Sequence, residues 1–230
     1  MGYSVDRLIS IAVTVLLVMF SAIVHEVAHG WAALRCGDAT AKEAGRLTLD
    51  PRAHLDGFGS VLLPLVMALI GGPVFAFAKP VPYNPYRLRH PRRDELIVAL
   101  AGPASNLLQA LLGALVLRLA WDPIMGAAIS GGLPLEVVSL LIDVLTTYVS
   151  VNLVLCFFNL IPLPPLDGSK VVLFFLTGEA RAAYYRLEQY AMPILIVVLY
   201  VLPSLLRFDP LGIYLGWTAG GIYNLLLTGL

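Results

Sequence analysis

Charge is scarce in this chain, and what there is cancels. Fifteen Lys and Arg balance fifteen Asp and Glu in 230 residues, 13% charged in all, for a formal net charge of zero. Soluble domains carry about twice that charged fraction. No basic face wide enough to follow a phosphate backbone can be assembled from so few cations, which excludes nucleic acid as a partner. Cysteine is nearly missing as well, with only Cys36 and Cys156. That excludes a disulfide scaffold and a cysteine-rich metal cluster, and both are expected as free thiols. Internal repeats, low-complexity tracts and a polar stretch long enough to form a soluble domain are absent too.

Apolar sequence is abundant. Hydrophobic residues make up 59% of the chain, and several runs approach the twenty or so residues needed to cross a bilayer. They are Leu8–Leu34, Phe58–Ala78, Leu96–Ala120, Val137–Leu160, Ala191–Leu206 and Leu211–Leu230. The first has a thin basic flank, Arg7 alone, and no small-residue cleavage site, so it is expected to stay as a helix rather than leave as a signal peptide. Arg46–Leu49, followed by turn residues, has strand character. Phe75–Tyr83 begins with two-residue alternation and turns proline-rich, the pattern of an edge strand. The fold expected is an all-α polytopic membrane protein with about five spanning helices, a re-entrant segment and a small membrane-associated β-hairpin.

Ionisable residues inside apolar runs are costly and point to function. Val24–Gly30 reads VHEVAHG at the end of the first run. HExxH on a helix puts two histidines on one face, a turn apart, where both can bind a single zinc. The glutamate between them can take a proton from the zinc-activated water. The candidates are His25 and His29 as metal ligands and Glu26 as general base. On a soluble surface helix the pattern arises often by chance; inside a membrane run it asks for a role. A catalytic zinc needs a third protein ligand. Asp167 in NLIPLPPLDG (Asn159–Gly168) closes the fourth run after three prolines, where irregular backbone is tolerated only beside protein or a cavity. Alone it would read as a turn aspartate; beside HExxH it reads as the ligand.

HEVAHG, GPASN (Gly102–Asn106) and NLIPLPPLDG together resemble the site-2 protease family of intramembrane zinc metalloproteases. LTLDPRAHLDGFGSVLLPL and FAKPVPYNP resemble its small membrane-core members, which lack PDZ and CBS domains. The resemblance spans roughly residues 15–175 and implies one zinc per chain held by His25, His29 and Asp167, with Glu26 as base. It further implies that Asn159 holds substrate or stabilises the oxyanion and that Asn106 lines the same cavity. His54 of PRAHLDG is a candidate gate or a group behind the ligands, with a solvated loop histidine as the default reading. The implied partners are a transmembrane protein substrate and the lipid bilayer. One domain covers 1–230, with a catalytic core at about 8–175 and C-terminal helices at about 190–230.

HExxH and LDG both lie near the C-terminal ends of their runs, so a shared zinc requires the two helices to run the same way. They do if Phe58–Ala78 dips in and returns, which Pro64 and Gly71-Gly72-Pro73 permit. The nine cations from Arg35 to Arg93 and the three from Lys170 to Arg186 then share one face, against Arg7, Arg118 and Arg207 on the other. Twelve against three fits the positive-inside rule; six spans would give nine against six. The expectation is a multi-pass cell-membrane protein with its N-terminus outside, and with its C-terminus and active-site opening cytoplasmic. Two rival readings stand beside the protease: a divalent-metal transporter, which would need ligands along a path, and an inactive relative, which would be expected to have lost Glu26.

Overall fold

The computed structural model of the protein describes residues 5–54 and 79–228. Three of the apolar runs become long helices: α1 (Val5–Arg35), α4 (Pro91–Ile129) and α5 (Leu135–Asn159). Between the first two lie the short helices α2 (Thr40–Glu43) and α3 (Pro51–His54) and a 3₁₀ turn at Pro85–Arg87. After α5 come α6 (Gly168–Phe175) and α7 (Gly178–Glu188). With a rise of 1.5 Å per residue, each long helix exceeds the roughly 30 Å of a hydrocarbon core. Large apolar side chains such as Val15 and Leu16, each more than half exposed, point outward from α1, as suits a lipid surround.

Three helices among the described residues are long and apolar enough to cross a membrane, which corrects the expected five. The two C-terminal runs are not single α-helices. Ala191–Leu206 splits into α8 (Ala191–Ile196), a π-turn at Val197–Val201 and α9 (Leu202–Leu206). The last run divides into α10 (Pro210–Leu215), a π-turn at Gly216–Gly220 and α11 (Gly221–Leu227). Proline at 193 and 203 and glycine at 216, 220 and 221 weaken the regular ladder, and wide turns relieve it.

The chain divides into two compact units, Met19–Gly102 and Met1–Val18 with Pro103–Leu230. In the first, Ala33, Leu88 and Val98 form the apolar core, joined by Ala32, Cys36 and Tyr83. In the second, Ala110 and Ala114 of α4 meet Val149 and Leu153 of α5 and Ala219. Alanine there lets helix backbones approach closely, the usual basis of packing between membrane helices.

The expected β-hairpin is not seen: no strand occurs among the described residues. Arg46–Leu49 are bend and coil, and 79–84 form no ladder. The backbone groups a ladder would use are taken by other partners. Lys79 N–H donates to the His54 carbonyl at 2.8 Å, Val81 N–H to Glu26 at 2.8 Å and Asn84 N–H to Asp38 at 2.5 Å. Pro80, Pro82 and Pro85 have no N–H to offer. The proposed re-entrant run Phe58–Ala78, and the Phe75–Ala78 part of the edge strand, lie outside the described residues.

Candidate metal centre

In the unit Met19–Gly102, α1 carries His25, Glu26 and His29 through its C-terminal turns. The spacing of four sets the imidazoles edge to face, with ring centroids 4.6 Å apart and planes at 84°. Their Nε2 atoms stand 3.0 Å from each other. Two nitrogens each 2.0–2.1 Å from zinc at a tetrahedral angle would be about 3.4 Å apart, so the pair is close to ligand spacing. His29 Nδ1 donates to the Val98 carbonyl at 2.6 Å. That bond fixes the tautomer and leaves Nε2 as the nitrogen carrying the lone pair, the outer support typical of a metal-binding histidine.

Gly102 faces the two imidazoles. A Cβ built there would lie 2.4 Å from His29 Nε2 and 2.5 Å from His25 Nε2. Any side chain at 102 would crowd the two nitrogens. Glycine keeps that ground clear, and with the donor chemistry this shows that the residues fit a metal. Glu26 turns its Oε2 to the Val81 N–H, which anchors one carboxylate oxygen. Sequence reasoning placed the three motif residues but missed Val98, Val81 and Gly102. The signal for Gly102 was its place at the head of GPASN; Val98 and Val81 act through backbone atoms and leave no signature.

Just beyond α1, Asp38 is fully buried. Burial pushes its carboxyl up, but hydrogen bonds from Thr40 Oγ1, Asn84 N and Thr40 N, with the Arg87 charge, outweigh it and hold the group below the usual range. His54 is buried rather than solvated, with Nε2 2.8 Å from the Thr48 carbonyl.

The other unit holds Asp167, the residue leading into α6. Its neighbour Gly168 shows why the pair is Asp-Gly: a Cβ there would lie 2.3 Å from the Leu160 carbonyl oxygen and 2.4 Å from that of Ile161. The loop folds back on the end of α5 only because position 168 has no side chain. Asn106 of α4 donates through Nδ2 to Asn152 Oδ1 of α5 at 2.9 Å, and both are fully buried. Asn152 was missed in the sequence, although an asparagine within an apolar run was the available signal. Asn159 donates to the Leu155 carbonyl of its own helix at 2.9 Å. Each unit thus carries donors of the kind a catalytic zinc takes, the imidazoles of His25 and His29 in one and the Asp167 carboxylate in the other.

A family model described as peptidase family M50 matches residues 13–202. The chain is 39% identical over 207 residues to a Bacillus subtilis protein provisionally named zinc metalloprotease YwhC, covering 89% of this chain and 83% of that one. It is 31% identical over 205 residues to a Mycobacterium tuberculosis protein provisionally named zinc metalloprotease Rip2, covering 89% and 69%. Its counterpart in Mycolicibacterium smegmatis is 32% identical over 192 residues, covering 83% and 67%. No solved structure matches.

Proposed function

We propose, from the premise that the chain belongs to peptidase family M50, the site-2 protease family, that this membrane zinc metalloprotease cuts transmembrane segments of other proteins near the cytoplasmic face. In this reading His25, His29 and Asp167 hold the zinc and Glu26 is the general base. The observation that carries it is the meeting of two Nε2 atoms 3.0 Å apart, over a glycine and beside a glutamate anchored on one oxygen.

Bound zinc supplies a Lewis acid for the scissile carbonyl and lowers the pKa of water towards about 7. The chain's own groups do the rest. His29, locked by Val98, and His25 present their Nε2 atoms close to ligand spacing, so little organisation is left to be done at reaction. Glu26 accepts the proton of the attacking water on the oxygen not used by Val81 and returns it to the leaving amine. A substrate helix shields its own peptide bonds, so it must unwind locally before it can react. Asn106 lines the substrate cavity and Asn159 holds the substrate chain or the oxyanion.

Orientation follows from charge. With α1, α4 and α5 as the crossings, the nine cations from Arg35 to Arg93 and the three from Lys170 to Arg186 share one face. The positive-inside rule makes that face cytoplasmic and puts the N-terminus outside.

The test is zinc content and cleavage of a single-pass substrate by the purified full chain. Wild type should cut and carry one zinc; Glu26→Gln should keep zinc and be inert; Asp167→Ala should lose zinc. Full cleavage by Glu26→Gln, or wild-type zinc in Asp167→Ala, overturns the assignment of that residue.

A further inference from the structure

Arg46 is a buried cation, 8% exposed, and its charge is spent on backbone. Its Nη2 donates to the Lys79 carbonyl at 2.6 Å and, over a longer 3.4 Å, to that of Pro80. Its Nε is buried with no acceptor among the described residues. Burying a guanidinium with one N–H unmatched is expensive. Departures of this kind from good local design cluster where function demands them.

The segment Arg46 grips continues directly to Val81, whose N–H meets Glu26 Oε2. Residues 79–84 are tied at both ends. Lys79 is held by Arg46 and by the His54 carbonyl, and Asn84 by the Asp38 carboxylate. Pro80 and Pro82 flank Val81 and bias it to extended backbone, so the strap between the ties is stiff. It meets the base through the Val81 amide. The Val81 side chain is also pinned, since a Cβ added to Gly30 of HEVAHG would lie 2.9 Å from Val81 Cγ1 and 2.5 Å from Leu47 Cδ2.

We infer that Arg46 is a positioning residue for the base: it fixes residues 79–81 so that the Val81 N–H holds Glu26 in the orientation from which it takes a proton. This rests on Glu26 being the base, as proposed above. Arg46 spends its hydrogen bonds on the Lys79 and Pro80 carbonyls, so its loss should leave zinc in place and lower turnover.

The test compares kcat, KM and zinc stoichiometry in the full chain for Val81→Pro, Val81→Ala, Arg46→Met and Arg46→Lys, with Glu26→Gln alongside. Val81→Pro deletes the N–H at a position that the flanking prolines bias to extended backbone. It should lower kcat on the order of 10²-fold, the usual effect of a small misplacement of a reacting group, with KM within twofold and one zinc bound. Val81→Ala keeps the N–H and should lose less than threefold. Arg46→Met should lose roughly tenfold in kcat, and Arg46→Lys, which can still donate to one carbonyl, should recover most of it. Equal losses in Val81→Pro and Val81→Ala would assign the effect to packing and overturn the proposal. So would zinc loss in Arg46→Met, or wild-type kcat in both Val81→Pro and Arg46→Met. If Val81→Pro does not fold, the Arg46 pair decides. An active Glu26→Gln would instead sink the base assignment, whatever the strap variants do.

Discussion

Replacing Gly102 with alanine should separate metal binding from folding. The new Cβ would sit 2.4–2.6 Å from His29 Nε2, His25 Nε2 and His25 Cε1, closer than such atoms can approach. His29 cannot easily yield, because its Nδ1 is bonded to the Val98 carbonyl at 2.6 Å. Without metal the two imidazoles need not converge over position 102, and the clash can be relieved. With metal, both nitrogens must return, so the strain falls on the zinc-bound state. Crowding one methyl group into a packed site costs about 1–3 kcal/mol. At 1.4 kcal/mol per tenfold, zinc affinity should fall roughly 5- to 150-fold.

Folding should not suffer in parallel. Gly-to-Ala inside a helix is worth about 1 kcal/mol in propensity, so the metal-free Gly102→Ala protein should melt no lower than wild type. Gly126 supplies the control. It lies in the same helix with nothing within 4 Å of its built Cβ, and Gly126→Ala should gain stability and keep full zinc affinity. The assay is competition for zinc against a chelator of known affinity, beside thermal unfolding of metal-free protein. Wild-type zinc affinity in Gly102→Ala would refute the reasoning, because the two nitrogens would then not meet their metal over position 102.

Three further outcomes follow from the structure. Asp38 has a folded pKa below its unfolded value of about 3.9, so its contribution is complete above that value and is lost as pH falls through the lower folded pKa; Asp38→Asn should cost about 2 kcal/mol at neutral pH and flatten the acid limb of a melting-temperature profile. Burial, then the Asp94 charge, pushes the Cys36 thiol up, with Arg93 and Arg89 only partly opposing; its alkylation at pH 8 should be slower than that of a free thiol. Asn152→Leu removes the buried partner of Asn106 and should cost about 1 kcal/mol in detergent unfolding; a loss of cleavage far larger than that would support a place for Asn106 in the substrate cavity.

The long helices were legible because they depend on local hydropathy, and the histidine pair because four-residue spacing defines a helix face. The two C-terminal runs misled for the same reason. Their composition is that of a spanning helix, while the π-turns at Val197–Val201 and Gly216–Gly220 answer to local ladder defects that hydropathy does not register. The supposed edge strand failed differently. Its alternation was real, but the residues that take its backbone groups, Glu26, Asp38, Arg46 and His54, lie 25 to 55 positions earlier.

The glycines of the three motifs show how much of the site was written in the sequence without being readable there. Gly30 ends HEVAHG, Gly102 begins GPASN and Gly168 ends LDG. At each, a Cβ would strike another atom within 2.3–2.5 Å: the Leu47 side chain, the two imidazoles, or the carbonyls at the end of α5. At Gly126, Gly216 and Gly221 the same test meets nothing within 4 Å. The motif glycines therefore serve close approach, and each marks where a second segment comes against a residue of the motif. A motif read along the chain shows which side chains do chemistry. Its glycines show where the rest of the protein must touch it, and only the folded chain reveals that the partners at Gly30 are the very strap and loop that Arg46 ties down.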